Sequence, residues 1–147
     1  MKKVLLASIL SISLLFSGLI GTNEVEASSS GANAASIGKK YIGTPYKYGG
    51  MSPNGFDCSG FVGYVFKKAG EPIPRSSREI YKKGKNVAKK SLKKGDLLFF
   101  NTSGKGVSHV AIYVGKGQFI HSANKGVKID SLSSTYWKTR YIGAKRI

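Results

Sequence analysis

The stretch FDCSGFVGYVF, residues 56–66, decides how the chain folds, and it holds the only cysteine. Asp57 is a helix-capping residue, because its carboxylate can accept free N–H groups of a first turn. Phe61, Val62, Val65, Phe66 and Ala69 then recur at the spacing of one apolar helical face. Lys67 and Lys68 fall in the last turn, and Gly70 follows as a C′ glycine. The pattern predicts a helix that begins at Cys58 and packs by that face.

Cys58 is therefore expected at the positive end of a helix dipole, where the free N–H groups favour thiolate over thiol. The same groups can donate to a developing oxyanion. A thiol in that place still needs a base, and the chain has only two histidines, His109 and His121.

Both lie in a region of strand texture. LLFFN (97–101), SHVAIYV (108–114), QFIHSA (118–123), GVKID (126–130) and RYIGAKRI (140–147) are separated by glycine or polar turns. Upstream, a short helix is expected over 34–41, and GTPYKYGGMSPNG (43–55) is rich in turn residues. SSRE (76–79) fits a capping box and a second, shorter helix. Helices first and an antiparallel meander after argue an α+β fold, with N-terminal helices packed on an antiparallel sheet. There is no internal repeat.

The hairpin over residues 108–123 places the histidines. With Gly115-Lys116-Gly117 as a three-residue loop, Ala111 opposes His121 and His109 opposes Ala123. The imidazoles then fall on one face as diagonal neighbours. Val110, Ile112, Val114 and Ile120 fall on the other face as core. A two-residue loop would separate the histidines. On the first register, His109 can take the proton of Cys58 while His121 fixes the His109 tautomer. Rival readings stand beside this one. A lone cysteine can be inert and buried or can pair between chains, a strand histidine can be structural, and Cys with two His can bind zinc, though no fourth ligand cluster is visible. Asp96 reads as a turn residue, and Trp137 and Tyr141 read as core.

The N-terminus has the form of an export signal. Lys2 and Lys3 precede an apolar run from Val4 to Ile20, and Val25 and Ala27 suit cleavage after Ala27. Residues 1–27 are expected to be removed, 28–35 to be a flexible start, and 36–147 to form one domain. No later segment is apolar enough to span a bilayer, so no stable membrane insertion is expected after cleavage. The net charge of +17 draws such a protein to polyanions, anionic cell-wall polymers first. The lysines lack a base-reading motif, so nucleic acid is not the expected partner.

The combination of GTPYKYGG (43–50), FDCSGFV (56–62), PRSS (74–77), KKGDLLFF (93–100), SHVAIYVG (108–115) and FIHSA (119–123) resembles the NlpC-type family of bacterial cell-wall cysteine peptidases, over about residues 34–147. The resemblance implies a papain-like α+β domain with no cofactor and no metal, and with Cys58 as nucleophile, His109 as base and His121 as third member. It implies cleavage of peptidoglycan peptides at the bond from D-γ-glutamyl to a diamino acid, meso-diaminopimelate or lysine, by a secreted, extracellular or wall-associated protein. It also implies that Tyr46 helps the oxyanion site and that Asp57, Ser59 and Ser77 line the substrate groove, with Asp57 able to meet a free amine. Many relatives carry an added wall-binding or SH3-like module. Here wall targeting is expected to rest on charge and to weaken as salt rises. The rival from another class is a catalytically silent, cationic wall-binding protein.

Overall fold

The computed structural model describes residues 29–147; the expected export signal lies outside the described residues. Residues 28–35, read from sequence as a flexible start, instead enter a helix, α1 (Ser30–Gly38), from Ser30 onward. The Ser29 hydroxyl caps it by accepting the Ala32 N–H at 3.0 Å. Small residues that look like a linker serve here as a contact face. Gly31, Ala34 and Ala35 are buried, and a Cβ at Gly31 would lie 2.6 Å from the Gly95 carbonyl oxygen. A 3-10 turn, Lys39–Tyr41, continues from α1.

A two-stranded ribbon, β1 (Met51–Ser52) with β2 (Gly55–Phe56), leads directly into α2 (Cys58–Lys68). Asp57 caps α2 as expected, accepting the Gly60 N–H at 2.6 Å. At the other end Gly70 takes φ +89°. The N–H groups of Glu71 and Gly70 donate back to Phe66 and Lys67 at 2.9 and 3.0 Å, the closing pattern that a C′ glycine permits. Phe61, Val62, Val65 and Phe66 are fully buried, so the apolar stripe is the packing face. Helix α3 (Ser77–Tyr81) starts at the expected box, with the Ser76 hydroxyl accepting the Glu79 N–H and donating to the Glu79 carboxylate.

The sheet has six strands: β3 (Lys85–Val87), β4 (Leu97–Phe100), β5 (His109–Gly115), β6 (Gln118–Ala123), β7 (Gly126–Ser131) and β8 (Tyr141–Arg146). Their order is β3-β8-β4-β5-β6-β7, and every neighbouring pair is antiparallel. β3 lies in a lysine-rich run that reads as solvated surface. It forms because Lys85, Asn86 and Val87 pair with the chain's last strand. On one face Phe99, Val110, Ile112 and Ile120 pack against α1, α2 and α3. The sequence suggests helices on that face alone, but α4 (Thr135–Arg140), capped by Ser134, covers part of the other. There Trp137 joins Leu98, Phe100, Ala111 and Phe119.

The β5–β6 turn departs from the expected three-residue loop. Only Lys116 and Gly117 connect Gly115 to Gln118, and both take positive φ, +55° and +74°. A register shift between Tyr113 and Gly115 absorbs the extra residue. Ile112 still pairs with Ile120, so the expected register holds within the strands and the histidines stay on one face. Asp96 stands at its expected turn, accepting the Lys93 N–H at 2.7 Å, but it is also buried and held by two bonds from the Arg146 guanidinium.

Gly60 is fixed by backbone approach: a Cβ there would overlap the Gly50 carbonyl oxygen. Gly60→Ala is expected to cost roughly 2–4 kcal/mol, because two backbones and not a mobile side chain must part. Thermal unfolding checks this, and an unchanged midpoint would contradict it.

Candidate active site

Two segments carry the thiol to the histidines. Phe56, two residues before Cys58, donates its N–H to Pro45 and accepts the Lys47 N–H, each at 3.1 Å. This brackets Tyr46 beside the start of α2. From the sheet, the buried Ser122 hydroxyl donates to the Phe56 carbonyl at 2.8 Å. Ser122 follows His121, so one hydrogen bond ties the cysteine segment to the histidine strand. The thiol comes within 4.0 Å of the carbonyl of Ser108, the residue before His109. Cys58, His109, Tyr46, Ser108 and Ser122 line a single cavity of about 700 Å³.

The histidines meet directly: His109 Nε2 and His121 Nδ1 are 2.8 Å apart. His121 Nε2 is in turn 2.7 Å from Asp130 Oδ2. This chain fixes the protons. A carboxylate only accepts, so His121 carries its proton on Nε2 and its Nδ1 accepts. His109 must then donate from Nε2, which leaves Nδ1 unprotonated and free to act as a base. Trp137 lies stacked on the His109 ring, centroids 5.2 Å apart at 26°, and meets His121 edge-on. It lines the same cavity and is thus a wall of the site, where the sequence reads it as core. Tyr141 does pack into the core, against Phe100.

Burial sets the charge states. It pushes the Cys58 thiol above its ordinary value, aided by the Asp57 charge and opposed by backbone N–H groups of Val110, Ser59 and Cys58. Helix dipole alone argues the reverse; half-burial of the sulfur outweighs it. Burial, with the neighbouring His121, lowers His109 to about 3, and burial also lowers His121 against the pull of Asp130. The resting site therefore holds a neutral thiol and a neutral imidazole on the lining of one cavity. Tyr46 is raised by burial and by Cys58, so its phenol remains a donor.

A lowered histidine has a consequence for stability. Between about pH 6.5 and 3 the unfolded chain binds a proton at His109 that the folded chain does not, so stability falls as pH falls through that window. The urea midpoint at pH 4 is expected well below that at pH 7, and His109→Gln is expected to flatten the dependence. Equal slopes in both proteins would contradict it.

The other expected site residues separate into two groups. Asp57 and Ser59 are brought together by Arg75, whose guanidinium donates to the Asp57 carboxylate and to the Ser59 hydroxyl, each at 2.7 Å. Sequence alone does not show Arg75 at this place, and it occupies the carboxylate that a substrate amine would meet. Ser59 and Arg75 border a second groove of about 620 Å³ along α2. Ser77 is buried in the first turn of α3 and lines neither hollow. Among the described residues no group of three or more His, Cys, Asp and Glu could hold a metal ion.

The sequence profile of the NlpC/P60 family matches residues 43–146. The chain is 46% identical over 113 residues to "Murein DD-endopeptidase MepH" of Escherichia coli, covering 72% of this chain and 42% of that protein. It is 42% identical over 133 residues to "Gamma-DL-glutamyl hydrolase" of Bacillus subtilis, covering 86% and 32%. The crystal structure of an NlpC/P60 family protein from Bacillus cereus superposes with a TM-score of 0.75 at 41% identity, over 82% of this chain and 41% of that one. The chain thus spans about two-fifths or less of each.

Proposed function

Because the chain belongs to the NlpC/P60 family, we propose that it is a secreted cysteine endopeptidase that hydrolyses peptidoglycan stem peptides. The observation that carries this is the run Asp130–His121–His109, whose hydrogen bonds leave His109 Nδ1 unprotonated, with His109 and Cys58 lining one cavity.

The reaction proceeds through a thioester. Cys58 Sγ attacks the scissile carbonyl carbon as His109 Nδ1 takes the thiol proton. The oxyanion is met by N–H groups at the start of α2 and by the Tyr46 phenol. The C–N bond breaks, and His109 returns the proton to the leaving amine. A water then attacks the thioester, giving up its proton to His109, and the thiol is restored. His121 and Asp130 hold the His109 tautomer throughout.

The bond is that from D-γ-glutamyl to the diamino acid. Support comes from the motifs themselves and from the relative named for γ-DL-glutamyl hydrolysis; the relative named as a DD-endopeptidase points to the competing bond. Muropeptides digested with the protein and separated by mass spectrometry distinguish the two. Fragments ending in D-glutamate support the proposal. Products cut only between two diamino-acid-linked stems would overturn the bond, and intact muropeptides would overturn the activity. An apolar leader with a basic start supports secretion, and the +17 charge supports association with an anionic wall.

A further inference from the structure

On the same sheet face as the histidines, α4 separates two hollows. Tyr136 and Trp137 border the Cys58 cavity, while Lys138 borders a third hollow, of about 420 Å³. Lys89 and Lys116 also line that third hollow, with Ser131, Leu132 and Ser133. The three lysines come from separate places: a 3-10 turn at Lys89–Ser91, the β5–β6 turn and α4. No carboxylate lines the hollow. Among the described residues the ion pairs engage Arg75, Lys128, Arg146 and His121, and none of these three lysines.

The hollow is built rather than incidental. The Tyr113 phenol accepts the Gly117 N–H at 2.8 Å, and the Leu132 N–H donates to the Gly117 carbonyl at 2.8 Å, so the β5–β6 turn is tied to the loop after β7. Ser131 and Ser133 share a hydrogen bond of 2.8 Å. Lys89 stands over the Tyr141 ring, 5.0 Å from its centroid. Lys116 is the only non-glycine among the described residues with positive φ, at +55°. Glycine or asparagine would hold that turn position at lower cost, and strain kept in place of an easy alternative points to a use.

We propose that this hollow binds phosphate groups of an anionic wall polymer, a poly(alditol phosphate), and so seats the wall one helix away from the thiol. The inference rests on the wall-directed reading for the identity of the polymer. The chemistry is that of three uncompensated ammonium groups and the one hydroxyl proton that the Ser131–Ser133 pair leaves free, facing phosphodiesters. Concentrating the charge at one place also distinguishes this from attraction by the whole +17 field.

The test measures binding of a fluorescent glycerol-phosphate oligomer to the purified protein. One variant carries Lys89→Gln, Lys116→Gln and Lys138→Gln. A control of equal charge carries Lys39→Gln, Lys40→Gln and Lys83→Gln, three exposed positions outside the hollow. The first is expected to weaken binding at least about tenfold and to reduce its salt dependence, as loss of phosphate-facing lysines does; the control is expected to stay within about twofold. Equal losses in both variants would overturn the proposal in favour of bulk charge, as would unchanged binding in the first. A single-stranded DNA of matched charge that binds as tightly through the same lysines would overturn the choice of polymer. Lys116→Gly keeps the test independent of folding: it is expected to weaken binding while its thermal midpoint stays equal or rises, and a lower midpoint would contradict the strain argument. Hydrolysis of a soluble stem peptide, measured on the same proteins, is expected to be unchanged by the first variant. Binding is read without turnover, so its outcome stands apart from that of the proposed activity.

Discussion

Replacing Cys58 with alanine is expected to abolish hydrolysis of purified wall while leaving the protein folded. The loss should reach at least about 10⁴-fold, because removing a covalent nucleophile removes the whole thioester route and not one increment of it. Stability should change little. The sulfur is half-buried at the rim of a cavity, and its polar contacts are weak: a 4.0 Å approach to the Ser108 carbonyl and the backbone N–H groups of Val110, Ser59 and Cys58. The helix start is held by the Asp57 cap and by the Ser122 bond to Phe56, neither of which uses the thiol. Turbidity of a wall suspension reads the first part and circular dichroism the second. Hydrolysis at the parent rate by a folded alanine variant would refute the mechanism; an unfolded variant would refute the account of what holds α2.

Asp130→Asn is the second large effect. An amide nitrogen facing His121 Nε2 would donate where the carboxylate accepts. His121 would then carry its proton on Nδ1 and donate to His109 Nε2, and His109 would keep its proton on Nδ1. The base would be blocked on the atom that must receive the thiol proton. A fall in kcat of about 10²–10⁴ is expected, by the logic that makes a wrong tautomer so costly in a triad. Asp130→Ala leaves the tautomer free and should lose less. KM should move little in either, since Asp130 acts through His121. The reverse order, alanine worse than asparagine, would show that the carboxylate's charge and not its proton direction matters.

Much of this site could be read along the chain. The helix at Cys58 is legible because cap, apolar stripe, terminal lysines and C′ glycine agree, and the histidine pairing is legible because strand period two leaves little choice once the turn is placed. The turn itself was legible only in outcome, since two residues and a bulge give the same interior register as three residues. Asp130 was within reach: β7 pairs Lys128 with His121, which makes Asp130 the diagonal neighbour on that face. Arg75 was not, because nothing local says that a residue beyond α2 folds back on its cap. Trp137 sits on a six-residue helix whose side-chain pattern lacks a clean period, so its place over His109 comes from tertiary packing. The small residues of α1 mislead for a similar reason: their apolar area is slight, and only tertiary packing explains them, with Gly31 against the Gly95 backbone, Gly38 against the Phe61 ring and Ala34 and Ala35 in the core.

The most direct measurement is of the histidine ring protons. Long-range ¹H–¹⁵N correlation spectra at neutral pH report which nitrogen of each imidazole is protonated. The expected result is two neutral rings, both carrying hydrogen on Nε2, with Nδ1 of His109 bare. A proton on His109 Nδ1, or an imidazolium with both nitrogens protonated in the free protein, would contradict the relay from Asp130 to Cys58.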